Sequence, residues 1–352
     1  MYNAKAGEAA HVAVVLDEVR SAISADNNDL RETRKRRDLV LSAAKSFPGV
    51  LRTFISGSVA HGTVNRPIDD ADGGAVLDRR AYPDLGPDSS EEGGPEPLMR
   101  KLRDHIMVAV QREYPQARSR LTKRAILIEF NKPNSDGVDP SVDVIAALTR
   151  KDAVGLWIPN RESGGWNASH PEEHTRLLTA KPKDLRVHRA RLIRLVKAAI
   201  KKDSTPALVS FNVEALSLEI VEEVEEMPEA LQAFFAEAAA SIKAGYTEDP
   251  AGVSGKIKLR DGMSRSRAAS RLGFFAEKVQ EAIDAESRED AEAALAELYP
   301  DELPNARKSA KKSVAEALDS GDEGKVRKAF AVAPAAAVKP KMRSYGDDAD
   351  AA

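Results

Sequence analysis

The sequence predicts an α+β protein: a small mixed sheet flanked by helices, followed by a helical domain. Three observations predict it. Between residues 50 and 150, short apolar runs alternate with Gly, Pro and Asn punctuation around one helical stretch. After about residue 175 strand signals vanish and long segments keep a helical period. The chain of 352 residues is 42% hydrophobic but only 5% aromatic, so a sizeable core must rest on Leu, Val, Ile and Ala.

The segment HVAVVLDEVRSAISA places Val12, Val15, Leu16, Val19 and Ile23 at helical spacing, which predicts a helix with one apolar face. After the polar break ADNND, LRETRKRRDLVLSAAKSF reads as a second helix, basic at its start and apolar at its end. LRTFISGS and DADGGAVLD each hold a short apolar run and read as strands. YPDLGPDSSEEGGPEP is a loop, and a helix follows over roughly 98–113. RAILIEF and SVDVIAAL, separated by the turn-rich NKPNSDG, read as a hairpin. Helices then fill 175–300, and APAAAVKPKMRSYGDDADAA reads as disordered. The expected organisation is therefore 1–174 for N-terminal helices and the mixed-sheet domain, 175–304 for a helical domain, and 305–352 for a Lys/Ala-rich tail.

Composition excludes several chemistries. With no Cys there is no disulfide, no Cys-ligated zinc and no thiol nucleophile. The 53 basic and 56 acidic residues nearly cancel, which argues against coating long nucleic acid by bulk charge. No apolar run is long enough to span a membrane, and MYNAKAGEAAHV lacks the apolar heart of a signal peptide, so a cytoplasmic protein is expected.

The informative stretch is GSVAHGTVNRPIDDADGGAVL. Gly57 and Ser58 end a strand in a tight turn, where backbone N–H groups and a hydroxyl can meet a phosphate. Asp70 and Asp72 alternate, so on a strand both point to one face. Two carboxylates on one face repel unless a hard divalent cation lies between them. Asp143 sits inside the apolar run SVDVIAAL, where an unshared carboxylate is costly. Three carboxylates and a phosphate-binding turn can hold two Mg²⁺ ions, or Mn²⁺, one activating a hydroxyl and one steadying a triphosphate. Taken singly, a GS turn is only a turn, and a DxD pair only a strand end or a cap; the bland reading gives Asp143 no separate reason. A register shifted by one would exchange Asp70 for Asp69. Gly73 and Gly74 interrupt the strand and are expected to leave room for a ligand.

GSVAHGT, DDADGGAVLD and SVDVIAAL together resemble the nucleotidyltransferase superfamily of DNA polymerase β. GLWIPNRESGGWNASHPEEH, RLIRLVKAAIKK, SFNVEALSLEIV, EDPAG and ALAELYPDELP narrow the resemblance to the bacterial cGAS/DncV-like nucleotidyltransferases, over about residues 30–303. The resemblance implies a polymerase β-like catalytic domain in which Asp70, Asp72 and Asp143 are the catalytic, metal-binding acids. It implies that Gly57 and Ser58 grip the donor's phosphates, and that Lys197 and Ser210 reach the triphosphate from the helical domain. The helix PKDLRVHRARLIRLVKAAIKK carries eight basic residues and one acid, a local counterweight to a polyanion. Against this, Lys197 reads as one solvated cation among many, and Ser210 as a helix N-cap.

The activity so implied is the joining of NTPs into a cyclic oligonucleotide that switches on a separate effector in anti-phage defence. Transfer of a nucleotide to tRNA or protein, and an inactive nucleotide-binding scaffold, are the competing readings. His61, His170 and His174 show no metal spacing, and Trp157 and Trp166 read as packing residues.

Overall fold

The computed structural model describes residues 2–87, 94–151, 153–202 and 205–306, with side chains from His11 onward. In chain order the elements are α1 (Tyr2–Ala22), α2 (Asn27–Lys45), β1 (Val50–Ser56), α3 (Gly57–His61), β2 (Asp70–Leu77), α4 (Glu96–Glu113), β3 (Arg118–Leu121) and β4 (Ile126–Glu129). They continue with β5 (Ser141–Thr149), β6 (Leu156–Asn160), β7 (Gly165–Ser169), α5 (Pro171–Thr179), α6 (Lys183–Lys201) and α7 (Ser210–Ile220). The last are α8 (Met227–Ala244), α9 (Arg265–Ile283) and α10 (Arg288–Leu295).

The chain forms two compact units. The sheet unit comprises Ala25–Lys181 together with Glu248–Lys258. The helical unit comprises the chain up to Ser24, Pro182–Thr247 and the described residues from Leu259 onward. This differs from a linear division at residue 174. The stripe Val12, Val15, Leu16, Val19 and Ile23 is buried as its spacing predicts, but α1 packs on α6, α8, α9 and α10. The tail expected from residue 305 falls almost wholly outside the described residues.

In the sheet unit, seven strands run in the order β1-β2-β5-β4-β3, and β6 joins the end of β5 and carries β7. β2 and β5 are parallel and central, while every other pair is antiparallel. Burial on both sides explains their nearly unbroken runs of small and apolar residues. A parallel pair needs a crossover, and α4 with β3 and β4 supplies it. α2 and α4 cover one face, where Val40, Ala44, Leu102, Ile106 and Val110 meet Ala75, Leu77, Val144, Ala146 and Leu148. Asp26 begins α2 by accepting the Asn28 N–H at 2.6 Å, so the polar break before it is a cap.

The expected hairpin is β4–β5, with Ile126 opposite Val144 and Ile128 opposite Val142. Its connection is held by Arg36 of α2, only 1% exposed. The guanidinium donates to Asp139 at 2.6 Å, to the carbonyls of Pro140 at 3.0 Å and Lys132 at 2.7 Å, and to Glu32 at 2.9 Å. It also lies 4.8 Å from the centre of the Phe130 ring.

The return segment Glu248–Lys258 is tied down by one carboxylate. Asp249 accepts the His174 ring of α5 at 2.6 Å and the backbone N–H groups of Ala251, Val253 and Ser254 at 2.7–3.1 Å. Burial pushes its pKa up, but the His174 bond and the backbone donors outweigh this and hold it well below the usual carboxylate range.

In the helical unit the core is built around Phe234, Phe235 and Phe275, whose rings meet edge to face at 5.9 and 5.3 Å. The basic helix α6 spends part of its charge internally. Arg189 donates to the Ser217 carbonyl in α7 and to that of Val221 just after it, and Arg194 donates to Ser24 Oγ at 2.8 Å. Lys197 is 7% exposed and pairs with Glu214 of α7 at 2.7 Å. It is therefore not a solvated surface cation.

Two outcomes follow for stability. Lys197→Ala strands a buried Glu214 carboxylate and should cost about 3–5 kcal/mol in urea unfolding. The double change Lys197→Met with Glu214→Leu should recover most of that loss, because it removes both charges. Asp249→Asn should cost on the order of 2 kcal/mol at neutral pH. A depressed carboxylate stabilises fully above about pH 4 and loses its contribution as pH falls. The gap between wild-type and Asp249→Asn unfolding temperatures should therefore close below that pH.

Candidate active site

The sheet face opposite α2 and α4 holds the acids. Asp72 and Asp143 are partners across the central parallel pair, and Asp70 lies opposite Ser141. Residues two apart on β2 share a face, so Asp70, Asp72 and Asp143 lie on one side of the sheet with backbones about 5 Å apart from strand to strand. Ala71 points the other way, into a small core with Val59 and Ile68. The register thus groups Asp70, not Asp69, with the other two. Asp72 and Asp143 are 6% and 7% exposed, and Asp70 is half-buried.

Gly57 and Ser58 open α3 immediately after β1, so the expected turn is one short helix. Gly57 has φ +71°, a conformation that disfavours any side chain, and a Cβ there would fall 1.8 Å from Asp72 Oδ2. The Asp72 carboxylate therefore lies directly against the Gly57 backbone. Thr63 N–H returns to the Ser58 carbonyl at 2.9 Å and closes the turn that follows.

One residue on this face was not singled out from the sequence. Ser56, 6% exposed, is the β1 partner of Asp72, and its hydroxyl makes no hydrogen bond among the described residues. The signal was present: Ser56 is two residues from Phe54, which shares its face, and it ends the apolar run.

Gly73 and Gly74 serve a different purpose from the one expected. A Cβ on Gly74 would strike the Phe54 ring at 2.3 Å, and one on Gly73 would meet the Phe54 carbonyl at 2.7 Å and Leu41 at 3.0 Å. The room they leave is filled by packing, not by ligand. Beyond them Phe54, Val76, Ile145 and Ala147 form an apolar floor on the acid-bearing face.

The histidines are accounted for structurally. His61 meets Thr175 Oγ1 at 3.0 Å, His170 Nδ1 accepts the Glu173 N–H at the start of α5, and His174 holds Asp249. Trp166 belongs to the main core, with Trp157 packed against it. Lys197 and Ser210 belong to the helical unit; Ser210 is the first residue of α7, and Asn212 caps that helix by accepting the Val209 N–H at 3.2 Å.

The donor set is all oxygen and anionic, which suits a hard divalent cation. Among the described residues no three His, Asp or Glu side chains converge as a ready metal cage. Three neighbouring carboxylates carry negative charge that a divalent cation would offset. The backbone register is what the fold supplies.

Residues 21–181 match the family model of the Second Messenger Oligonucleotide or Dinucleotide Synthetase domain. Comparison with curated protein sequences finds no match. Among solved structures, CdnC of E. coli MS115-1 with ATP is 18% identical, with a TM-score of 0.58 over 82% of this chain and 97% of that one. CdnG of Bradyrhizobium diazoefficiens with GTP is 13% identical, TM-score 0.59, over 85% and 98%. The di-nucleotide cyclase DncV of Vibrio cholerae is 14% identical, TM-score 0.56, over 85% and 89%. At these identities the likeness is one of fold. No helix among the described residues is long and apolar enough to cross a membrane. The domain match over 21–181 contains the acid-bearing parallel pair, and the likeness of the chain to these synthases is one of fold.

Proposed function

We propose that this protein is a metal-dependent nucleotidyltransferase that joins NTPs into a cyclic oligonucleotide. The product would activate a separate effector in anti-phage signalling. The observation that carries the chemistry is the register of Asp72 against Asp143, with Asp70 on the same face. ATP, GTP and the linear intermediate 5′ pppA(3′,5′)pG in structures of similar fold support the substrate class. The complex of CdnC with a HORMA protein shows that such a fold can carry a protein partner.

In this reading the hydroxyl oxygen of one nucleotide attacks the α-phosphorus of another. A new P–O bond forms, the bond to the β-phosphate breaks, and pyrophosphate leaves with the electron pair. A carboxylate oxygen of Asp143 accepts the hydroxyl proton and passes it to solvent. Asp70, Asp72 and Asp143 would hold Mg²⁺ or Mn²⁺, which supplies charge neutralisation for the triphosphate and lowers the pKa of the hydroxyl. Gly57 lets the backbone at the start of α3 approach the phosphates, and Ser58 adds a hydroxyl.

Mixed radiolabelled NTPs with Mg²⁺ or Mn²⁺ should yield phosphatase-resistant products of defined mass. Asp70→Asn with Asp72→Asn should reduce turnover below about a hundredth of wild type. Its unfolding midpoint should stay close to that of wild type, because carboxylates gathered for function contribute little to stability. Unchanged turnover would refute the assignment of these acids, and label retained on tRNA or protein would replace the cyclic-product reading.

A further inference from the structure

The acid-bearing face continues past Asp143 to the edge of the sheet. Register traces one row across it: Ser56 opposite Asp72, Asp72 opposite Asp143, Asp143 opposite Leu127, and Leu127 opposite Arg120. Arg118, two residues before Arg120 on the edge strand β3, shares that face and lies opposite Glu129. Both arginines are exposed, whereas Ser119 and Leu121 between and after them are half-buried. Neither makes an ion pair or a side-chain hydrogen bond among the described residues, although Glu129 stands directly across from Arg118.

We propose that Arg118 and Arg120 form a phosphate subsite for the nucleotide that offers the attacking hydroxyl. Its ligand is the 5′-triphosphate of an acceptor NTP or of a linear oligonucleotide intermediate. This rests on the nucleotidyltransferase reading and extends it to the second substrate. The turn that meets the donor's phosphates, Gly57 and Ser58, lies beside Asp72 on the side away from Asp143. An acceptor therefore approaches Asp143 from the other side, across β4 and β3. The arginines stand two strands beyond Asp143, about 10 Å away, so one nucleotide can span the gap between its hydroxyl and its 5′-phosphates. Leu127, half-buried between them, offers an apolar step for the ribose or base. Two guanidinium forks against the one carboxylate of Glu129 leave net positive charge, and their planar donors suit bidentate phosphate contacts. The competing role is charge on a sheet edge that deters edge-to-edge pairing, which needs no ligand.

The test separates these. Binding of a mixed pool of 5′-triphosphorylated dinucleotides is measured in EDTA, where no turnover occurs, against the same pool after phosphatase. Wild type should prefer the triphosphorylated pool. Arg118→Gln with Arg120→Gln should lower that preference about tenfold or more, and Arg118→Glu with Arg120→Glu should lower it further, to what the Gly57–Ser58 turn alone provides. Unfolding midpoints of both variants should match wild type, since both positions are exposed. An unchanged preference in both variants would overturn the subsite and leave edge protection. If wild type makes cyclic product yet the preference is unchanged, the subsite fails alone. If wild type makes no product while the preference depends on the arginines, the nucleotidyl-transfer reading fails alone.

Discussion

Two carboxylates lie side by side in the middle of this sheet, and most of the surrounding architecture makes that placement tolerable. Asp72 and Asp143 are direct partners on the parallel strands β2 and β5, each nearly buried. Such a pair costs free energy in an apolar setting. It persists because the opposite face of the same strands is packed by Leu, Val, Ile and Met from α2 and α4. The apolar burial beneath fixes the register, and a slip of one residue would turn every acid into that core.

Register also depends on the hairpin that brings β5 into place. Arg36 secures its connection through Asp139, Pro140 and Lys132, just before β5 begins. A guanidinium can do this while buried because its five donors are nearly all used and its face is covered by aromatic rings. Asp249 plays a comparable part for the return segment: one carboxylate collects four donors and ties residues far along the chain to α5. In both cases a single buried charge is stabilised by saturation of its hydrogen-bonding capacity.

Chemistry and packing also share residues in ways that composition hides. Gly57 is where Asp72 rests, so the glycine is fixed by contact as well as by its positive φ. Gly74 admits the Phe54 ring and so completes the floor under the acids. On α6 the excess of basic residues looked like a counterweight for phosphate, yet Arg189, Arg194 and Lys197 are engaged by carbonyls, a hydroxyl and Glu214.

Much of the sheet unit was legible along the chain because its signals are local. The polar break before α2, the hairpin around NKPNSDG and the alternation of Asp70 with Asp72 each follow from short-range signals, as does the stripe from Val12 to Ile23 in the helical unit. So does the oddity of Asp143 within an apolar run, which the register sets beside Asp72. Facts set by distant partners were not legible. That α1 joins the helical unit, that Glu248–Lys258 returns to the sheet unit, and that Lys197 is buried against Glu214 depend on contacts between remote segments. The same holds for Ser56, Arg118 and Arg120, whose place on the acid-bearing face follows only from strand order and register. Sequence determined which residues could form each element and which could carry the chemistry. Tertiary structure alone decided which of them share a face, because pairing register is fixed by burial summed over the whole sheet.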